Sequence, residues 1–108
     1  MTDKIVVLST CGSEEEALRV ARELVEARLA ACVNVAPGVR SVYRWQGKVE
    51  EGNEWLLVIK SRRGLLQKLQ AQLQRAHSYE VPEVVALTIV DGSPAYLRWL
   101  DRELTTED

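Results

Sequence analysis

The sequence predicts an α+β domain of ferredoxin-like type, ordered β-α-β-β-α-β around a long central hairpin, with one helix added at the C-terminus. Three observations lead there. A strand-like stretch from about Ala31 to Lys60 is folded on itself by the pair Gln46-Gly47. Two segments with helical spacing of apolar residues flank it, and short apolar runs rich in branched residues occupy positions 4–10 and 84–90.

The hairpin carries the most information. A glycine at Gly47 permits the positive backbone angle that a two-residue turn requires. Two arms of roughly 13 residues at about 3.3 Å each reach on the order of 40 Å, whereas a domain of this size has a radius of gyration near about 13 Å. The ribbon therefore outruns its own core. Its far half holds Val42, Tyr43, Trp45, Val49 and Trp55, which are costly to leave in water on a two-stranded ribbon. Another copy of the chain is the economical cover, so an obligate homo-oligomer is expected. Pro37-Gly38 interrupts the outbound arm, and a residue without a backbone donor belongs at a bulge or an edge. Before it, Ala31, Val33 and Val35 share one parity and Cys32 and Asn34 the other; beyond it, Ser41, Tyr43 and Trp45 share a face.

The remaining elements follow in order. Residues 4–10 form a strand too short and too branched for a helix, ended by Cys11-Gly12. Ser13 with Glu16 makes a capping box, and Glu14, Glu15 and Glu16 suit the positive end of a helix dipole. Ala17, Val20, Ala21, Leu24 and Val25 give that helix its apolar stripe up to about Arg28. A second helix is predicted over 61–76, with Leu65, Leu66, Leu69, Leu73 and Ala76 facing the sheet. A loop at 77–83 and a strand at 84–90 come next. Ser93 as cap and Pro94 at the first helical position then open a third helix, packed through Tyr96, Leu97 and Leu100.

Composition narrows the functional classes. At 108 residues, 46% hydrophobic and 28% charged, the chain reads as one globular domain, 1–108, large enough to bury a core without staples. A net charge of −2 provides no basic face for phosphate, so no nucleic-acid partner is expected. No apolar run approaches the roughly 20 residues of a membrane span, so no membrane partner is expected either. Without a secretory signal, Cys11 and Cys32 read as reduced thiols of a cytoplasmic protein.

Three residues offer chemistry. Cys32 is either a small buried hydrophobe or a soft thiolate ligand for Cu(I) or a similar metal. Cys11, just past the first strand, is expected to be exposed and can supply a second thiolate. His77 is the sole histidine, either a ligand or base in a binding loop or a cap on the preceding helix C-terminus. No CxxC or HxxxH spacing joins them. With no strained elbow, oxyanion loop or phosphate loop near Cys32, the chain is read as not an enzyme, a thiol/histidine-dependent enzyme being the minor alternative.

Four segments together carry a resemblance: 29–34 (LAACVN), 41–48 (SVYRWQGK), 77–83 (HSYEVPE) and 96–100 (YLRWL). Spanning essentially the whole chain, they resemble the CutA family of divalent-cation-tolerance proteins. The resemblance implies a tight homotrimer whose hairpins complete sheets between subunits, an architecture shared with PII signalling proteins, and a link to tolerance of copper and other divalent metals. Copper ligation in some members uses a cysteine at the end of the first strand and histidines before the loop tyrosine. Here Ser9 holds the strand-end position with Cys11 two residues on, Ala76 precedes His77, and Cys32 matches the family's Ala-Ala-Cys motif. The function expected is therefore non-enzymatic binding of a metal ion, copper or another divalent cation, or of a small ligand at inter-subunit clefts. His77, Cys32 and Cys11 are the candidate metal ligands, and Tyr43, Lys60, Tyr79 and Glu83 the candidate small-ligand contacts. Trp45 is assigned to the subunit interface. A PII-like regulatory module acting through a protein partner is the alternative.

Overall fold

Strand β1 (Lys4–Cys11) runs through the middle of a four-stranded antiparallel sheet. The computed structural model describes residues 1–106, and in it helix α1 (Glu14–Glu26) follows β1 directly. The Ser13 hydroxyl accepts the Glu16 N–H at 3.2 Å, as the capping motif requires. Ala17, Val20, Ala21 and Leu24 are buried on the sheet side, while Val25 stands at the surface. Arg28 then takes a left-handed backbone angle, φ 59°, which stops the helix and turns the chain toward the hairpin.

Strands β2 (Cys32–Trp45) and β3 (Lys48–Arg62) form that hairpin, and β4 (Val85–Thr88) pairs with the other side of β1. The order β2-β3-β1-β4, all antiparallel, is that of the split β-α-β arrangement. Leu57 and Ile59 of β3 meet Ile5 and Val7 of β1 on the face covered by α1 and by α2 (Leu66–Ala76), whose Leu69 and Leu73 are wholly buried. Each such side chain contributes about 1.5–3 kcal/mol by leaving water. Helix α3 (Pro94–Glu103) closes the chain, capped by Ser93 and anchored by buried Leu100. Its Tyr96 remains at the surface, stacked on Trp99.

The second helix begins later than expected. Ser61 and Arg62 continue β3 opposite Ile5 and Lys4, and the Ser61 hydroxyl donates to the buried Leu29 carbonyl at 2.7 Å. A single 3-10 turn, Arg63–Leu65, intervenes before α2. Pairing with β1 thus outcompetes the helical pattern at those positions. Conversely, β4 is shorter than the expected 84–90, because only four residues find partners on Ile5–Leu8 of β1.

Two further expectations are corrected. Cys11 is not exposed: it is the last residue of β1, paired with Trp55 and fully buried under α1. Trp55, assigned to the overhanging half of the ribbon, instead lies over the core at the near end and is partly sheltered by its own chain.

The rest of the hairpin does overhang. The molecule measures 44 × 25 × 22 Å, and Val42 and Val49 near the tip are 67% and 64% exposed. At the tip, Gln46 and Gly47 both have positive φ, 50° and 81°, the geometry of a type I′ turn. Glutamine is a poor residue for that first position. Gln46→Asn is expected to stabilise the protein by about 0.5–1 kcal/mol, read as a higher urea midpoint with an unchanged slope.

Candidate functional site

Register at the base of the hairpin is set by apolar alternation and at the tip by the turn, and the two differ by one residue. The extra residue is absorbed between Ala36 and Val39, where Gly38 takes φ 78° and Pro37 needs no ladder donor on the edge strand. This bulge has a functional consequence. Cys32 and Asn34 pair with Lys60 and Val58, whereas beyond the bulge Ser41 and Tyr43 pair with Gly52 and Glu50. Tyr43 and Trp45 therefore share the helix-free face with Glu54.

A cavity of about 650 Å³ opens on this face. Thr10 of β1, residues 41–43 and Trp45 of β2, Glu54 of β3 and the loop 79–83 line it. The loop is held in place by a chain of contacts. Its Tyr79 hydroxyl donates to Glu54 Oε2 at 2.9 Å, and an added Cβ at Gly12 would lie 2.9 Å from the Tyr79 hydroxyl, so the tyrosine crosses that glycine closely. Burial first, then the neighbouring Glu54 carboxylate, raise the Tyr79 phenol well above its ordinary range, which keeps the donor proton in place.

Behind the loop, the His77 ring is fully buried between β1 and the end of α2. Its Nδ1 accepts the Tyr79 N–H at 3.0 Å, so the proton sits on Nε2, which donates to the Thr10 carbonyl at 2.6 Å. Cys11 Sγ is 3.6 Å from the same Nε2. Glu16 Oε2 accepts the Ser78 N–H at 2.6 Å and lies 3.9 Å from His77 Nδ1. Burial alone would raise Glu16, but its hydrogen bonds from Ser78 and the nearby Arg19 cation outweigh that and leave it below the ordinary carboxylate range.

Of the residues singled out in the sequence, Tyr43, Tyr79 and Glu83 converge on the cavity, joined by Trp45. Lys60 does not: it lies near the base of the hairpin, paired with Cys32, and its Nζ donates to Asn34 Oδ1. His77 braces the loop from behind without lining the cavity. Cys11 and Cys32 pair with β3 residues of opposite parity, Trp55 and Lys60, and so point to opposite faces of the sheet. Cys32 is half-buried beside Asn34 and Tyr96. The proposed metal trio is thus not assembled within one protomer. Cys11 and His77 alone do not fit a thiolate–imidazole centre: burial, then Glu16, push the Cys11 thiol up to about 12, and both imidazole nitrogens are engaged. Among the described residues no group of three or more His, Cys, Asp or Glu is placed to hold an ion.

Two residues important to the site escaped the sequence reading. Glu54 is not among the candidates named from the sequence, and Glu16 is named there only as a capping carboxylate. The signal for Glu54 was its place on the same parity as Leu56 and Val58, just before the apolar run.

The family model described as CutA1 divalent ion tolerance protein matches residues 5–103. The chain belongs to the CutA1 family. It is 52% identical over 95 residues to the divalent-cation tolerance protein CutA of Thermus thermophilus, covering 88% of this chain and 92% of that one. The corresponding protein of Pectobacterium atrosepticum is 40% identical over 104 residues, 96% of this chain and 94% of the relative. The chain spans only 53% of the Arabidopsis thaliana chloroplastic CutA, at 48% identity and 89% of its own length. Among solved CutA1 structures, that of Thermus thermophilus superposes with a TM-score of 0.92 at 48% identity, covering 94% of this chain and 99% of the other. The Oryza sativa structure gives 0.94 at 43% identity, covering 96% and 95%. A CutA structure from Archaeoglobus fulgidus is described as periplasmic. The CutA1 description names tolerance of divalent ions and no reaction.

Proposed function

We propose that this CutA1-family chain acts without catalysis, as a cytoplasmic homotrimer that holds a small ligand, or a metal ion such as copper or another divalent cation, in clefts between subunits. The observation that carries the reading is the cavity's incompleteness. One wall is the braced loop 79–83, and the other is a ribbon whose Val42 is mostly exposed and whose Tyr43 and Trp45 are a little under half exposed. A neighbouring subunit laid along that ribbon covers those side chains and finishes the wall. Val85 and Leu87 on the opposite edge strand are about half exposed and supply a second apolar strip for such packing.

The non-enzymatic part is supported by the state of the thiols. The cysteine that neighbours His77 is wholly buried and held protonated, and Cys32 is on the other face. Cys11 is therefore not an activated nucleophile, and Cys32 lacks His77 as a partner. The two cannot bridge within one chain, which suits a reducing compartment.

Light scattering coupled to size exclusion is expected to give three chains per particle at micromolar concentration, and Val42→Asp with Val49→Asp to reduce it to one. A stable monomer from the unmodified chain would refute the assembly. For the metal arm, titration of Cu(I), Cu(II) and Zn(II) is expected to respond to Cys32→Ser and not to Cys11→Ser. Binding indifferent to Cys11→Ser, Cys32→Ser and His77→Ala alike removes these ligands from the reading.

A further inference from the structure

We infer that the cavity takes a small organic cation, an ammonium group on an apolar stem, and this rests on the reading of the cavity as a ligand cleft. The residues lining it bring three carboxylates, Glu54, Glu80 and Glu83, together with the rings of Tyr43, Trp45 and Tyr79, and no lysine, arginine or histidine. Glu54 decides the sign of the charge. It is only 8% exposed, its one hydrogen bond comes from the neutral Tyr79 hydroxyl to Oε2, and among the described residues it has no cationic partner. A buried carboxylate group whose described hydrogen bond comes from a neutral donor is complemented by a cationic N–H donor brought to it. Oε1 remains available to accept from a ligand N–H.

The rest of the wall selects the kind of cation. A compact metal ion needs several oxygen, nitrogen or sulfur donors converging within about 2.0–2.6 Å, and no such group is assembled among the described residues. Aromatic faces cannot replace its hydration shell, but they attract a diffuse ammonium charge and cover methylene groups at once, each ring contributing through its quadrupole. The cavity's volume of about 650 Å³ exceeds what a bare ion fills and suits a small organic molecule. Against the lining that one protomer supplies, an anion would meet three carboxylates and no counter-charge. Lys48, opposite Trp45 at the turn, is exposed and is not part of the lining.

The probes are 1,4-diaminobutane and tetramethylammonium as cations, 1,4-butanediol as the neutral counterpart and glutarate as the anion, followed by calorimetry and by Trp fluorescence on the trimer. Both cations are expected to bind saturably and the diol and glutarate not to bind. Glu54→Gln, checked for unchanged trimer mass and circular dichroism, should weaken the cations by at least about tenfold. Tyr43→Leu, which keeps the apolar bulk, should weaken tetramethylammonium more than the diamine. Binding of the diol or of glutarate equal to that of the diamine, lost in Tyr43→Leu, overturns the charge assignment and leaves the ligand cleft standing. Glu54→Gln dissociating the trimer while no probe binds also overturns it, because Glu54 would then be paired with a neighbouring subunit. No binding of any probe to an intact trimer overturns it too, and the cleft reading falls with it only if native mass spectrometry of the purified trimer finds no small molecule retained.

Discussion

Gly12→Val is expected to dismantle the cavity without unfolding the domain, lowering stability by about 1–3 kcal/mol through overpacking. Even the Cβ of alanine at this position would lie 2.9 Å from the Tyr79 hydroxyl and 3.6 Å from two ring carbons. A tyrosine ring is rigid, so a larger side chain must push it away from β1. Its hydroxyl then leaves Glu54 Oε2, and a nearly buried carboxylate loses the one hydrogen bond it has among the described residues, which adds about 1–3 kcal/mol if water cannot follow. Tyr79→Phe tests whether the hydroxyl is the point of contact. It removes the bond and the 2.9 Å clash together, leaving ring carbons at 3.6 Å, so in that background Gly12→Val should cost distinctly less. Equal costs for Gly12→Val in both backgrounds would show that the contact does not seat the loop against Glu54. Denaturation measured alongside Trp fluorescence reads both quantities, since Trp45 lines the same cavity.

The elements were legible in the sequence where one periodicity dominated. The turn at Gln46-Gly47, the interruption at Pro37-Gly38 and the stripe of α1 each rest on local chemistry that needs no partner. Errors came where long-range pairing decided the outcome. Ser61 and Arg62 fit a helical pattern yet join β3, because Ile5 and Lys4 present open ladder positions to them. Cys11 looked exposed beside a glycine, but one more pair with Trp55 keeps it in the sheet and under α1.

The site was legible in part for the same reason. Tyr43, Tyr79 and Glu83 could be nominated from side-chain type, and the parity beyond the bulge placed Tyr43 and Trp45 together. Lys60 was misplaced with them because it lies six residues from Glu54 along a straight strand, a separation that a list of polar-tipped residues conceals. The link from His77 to Cys11 spans 66 positions and no spacing rule predicts it. Likewise, nothing local distinguishes Glu16 from Glu14 and Glu15, although only its carboxylate reaches Ser78. Trp55 was expected on the overhang together with Trp45. Only Trp45 remains at the surface, so the case for a covering subunit now rests on it with Val42, Tyr43 and Val49.

Glu16→Ala is expected to cost about 1.5–3 kcal/mol, the range for a hydrogen bond to a charged group, and on the order of 10 °C in Tm. Among the described residues the carboxylate is the acceptor that ties the Ser78 N–H, and through it the loop 77–83, to α1. Its loss should therefore be local as well as global, with faster amide exchange at Ser78 and Tyr79. The pH dependence follows from the direction of the shift. Glu16 is below its ordinary range in the folded chain, so the folded state favours the ionised form more than the unfolded state does. Its contribution is present in full above the unfolded value, near about 4.3, and is lost as pH falls through the lower folded value. Glu16→Gln keeps an acceptor oxygen but cannot ionise, so it should lie between the alanine variant and the parent at neutral pH. The stability gap between parent and Glu16→Gln should then shrink steadily below about pH 4.5. A gap that stays constant down to pH about 2 would mean that the Ser78 bond is indifferent to the charge, and that the loop is held chiefly by its other contacts, those of His77 and of Tyr79 with Glu54.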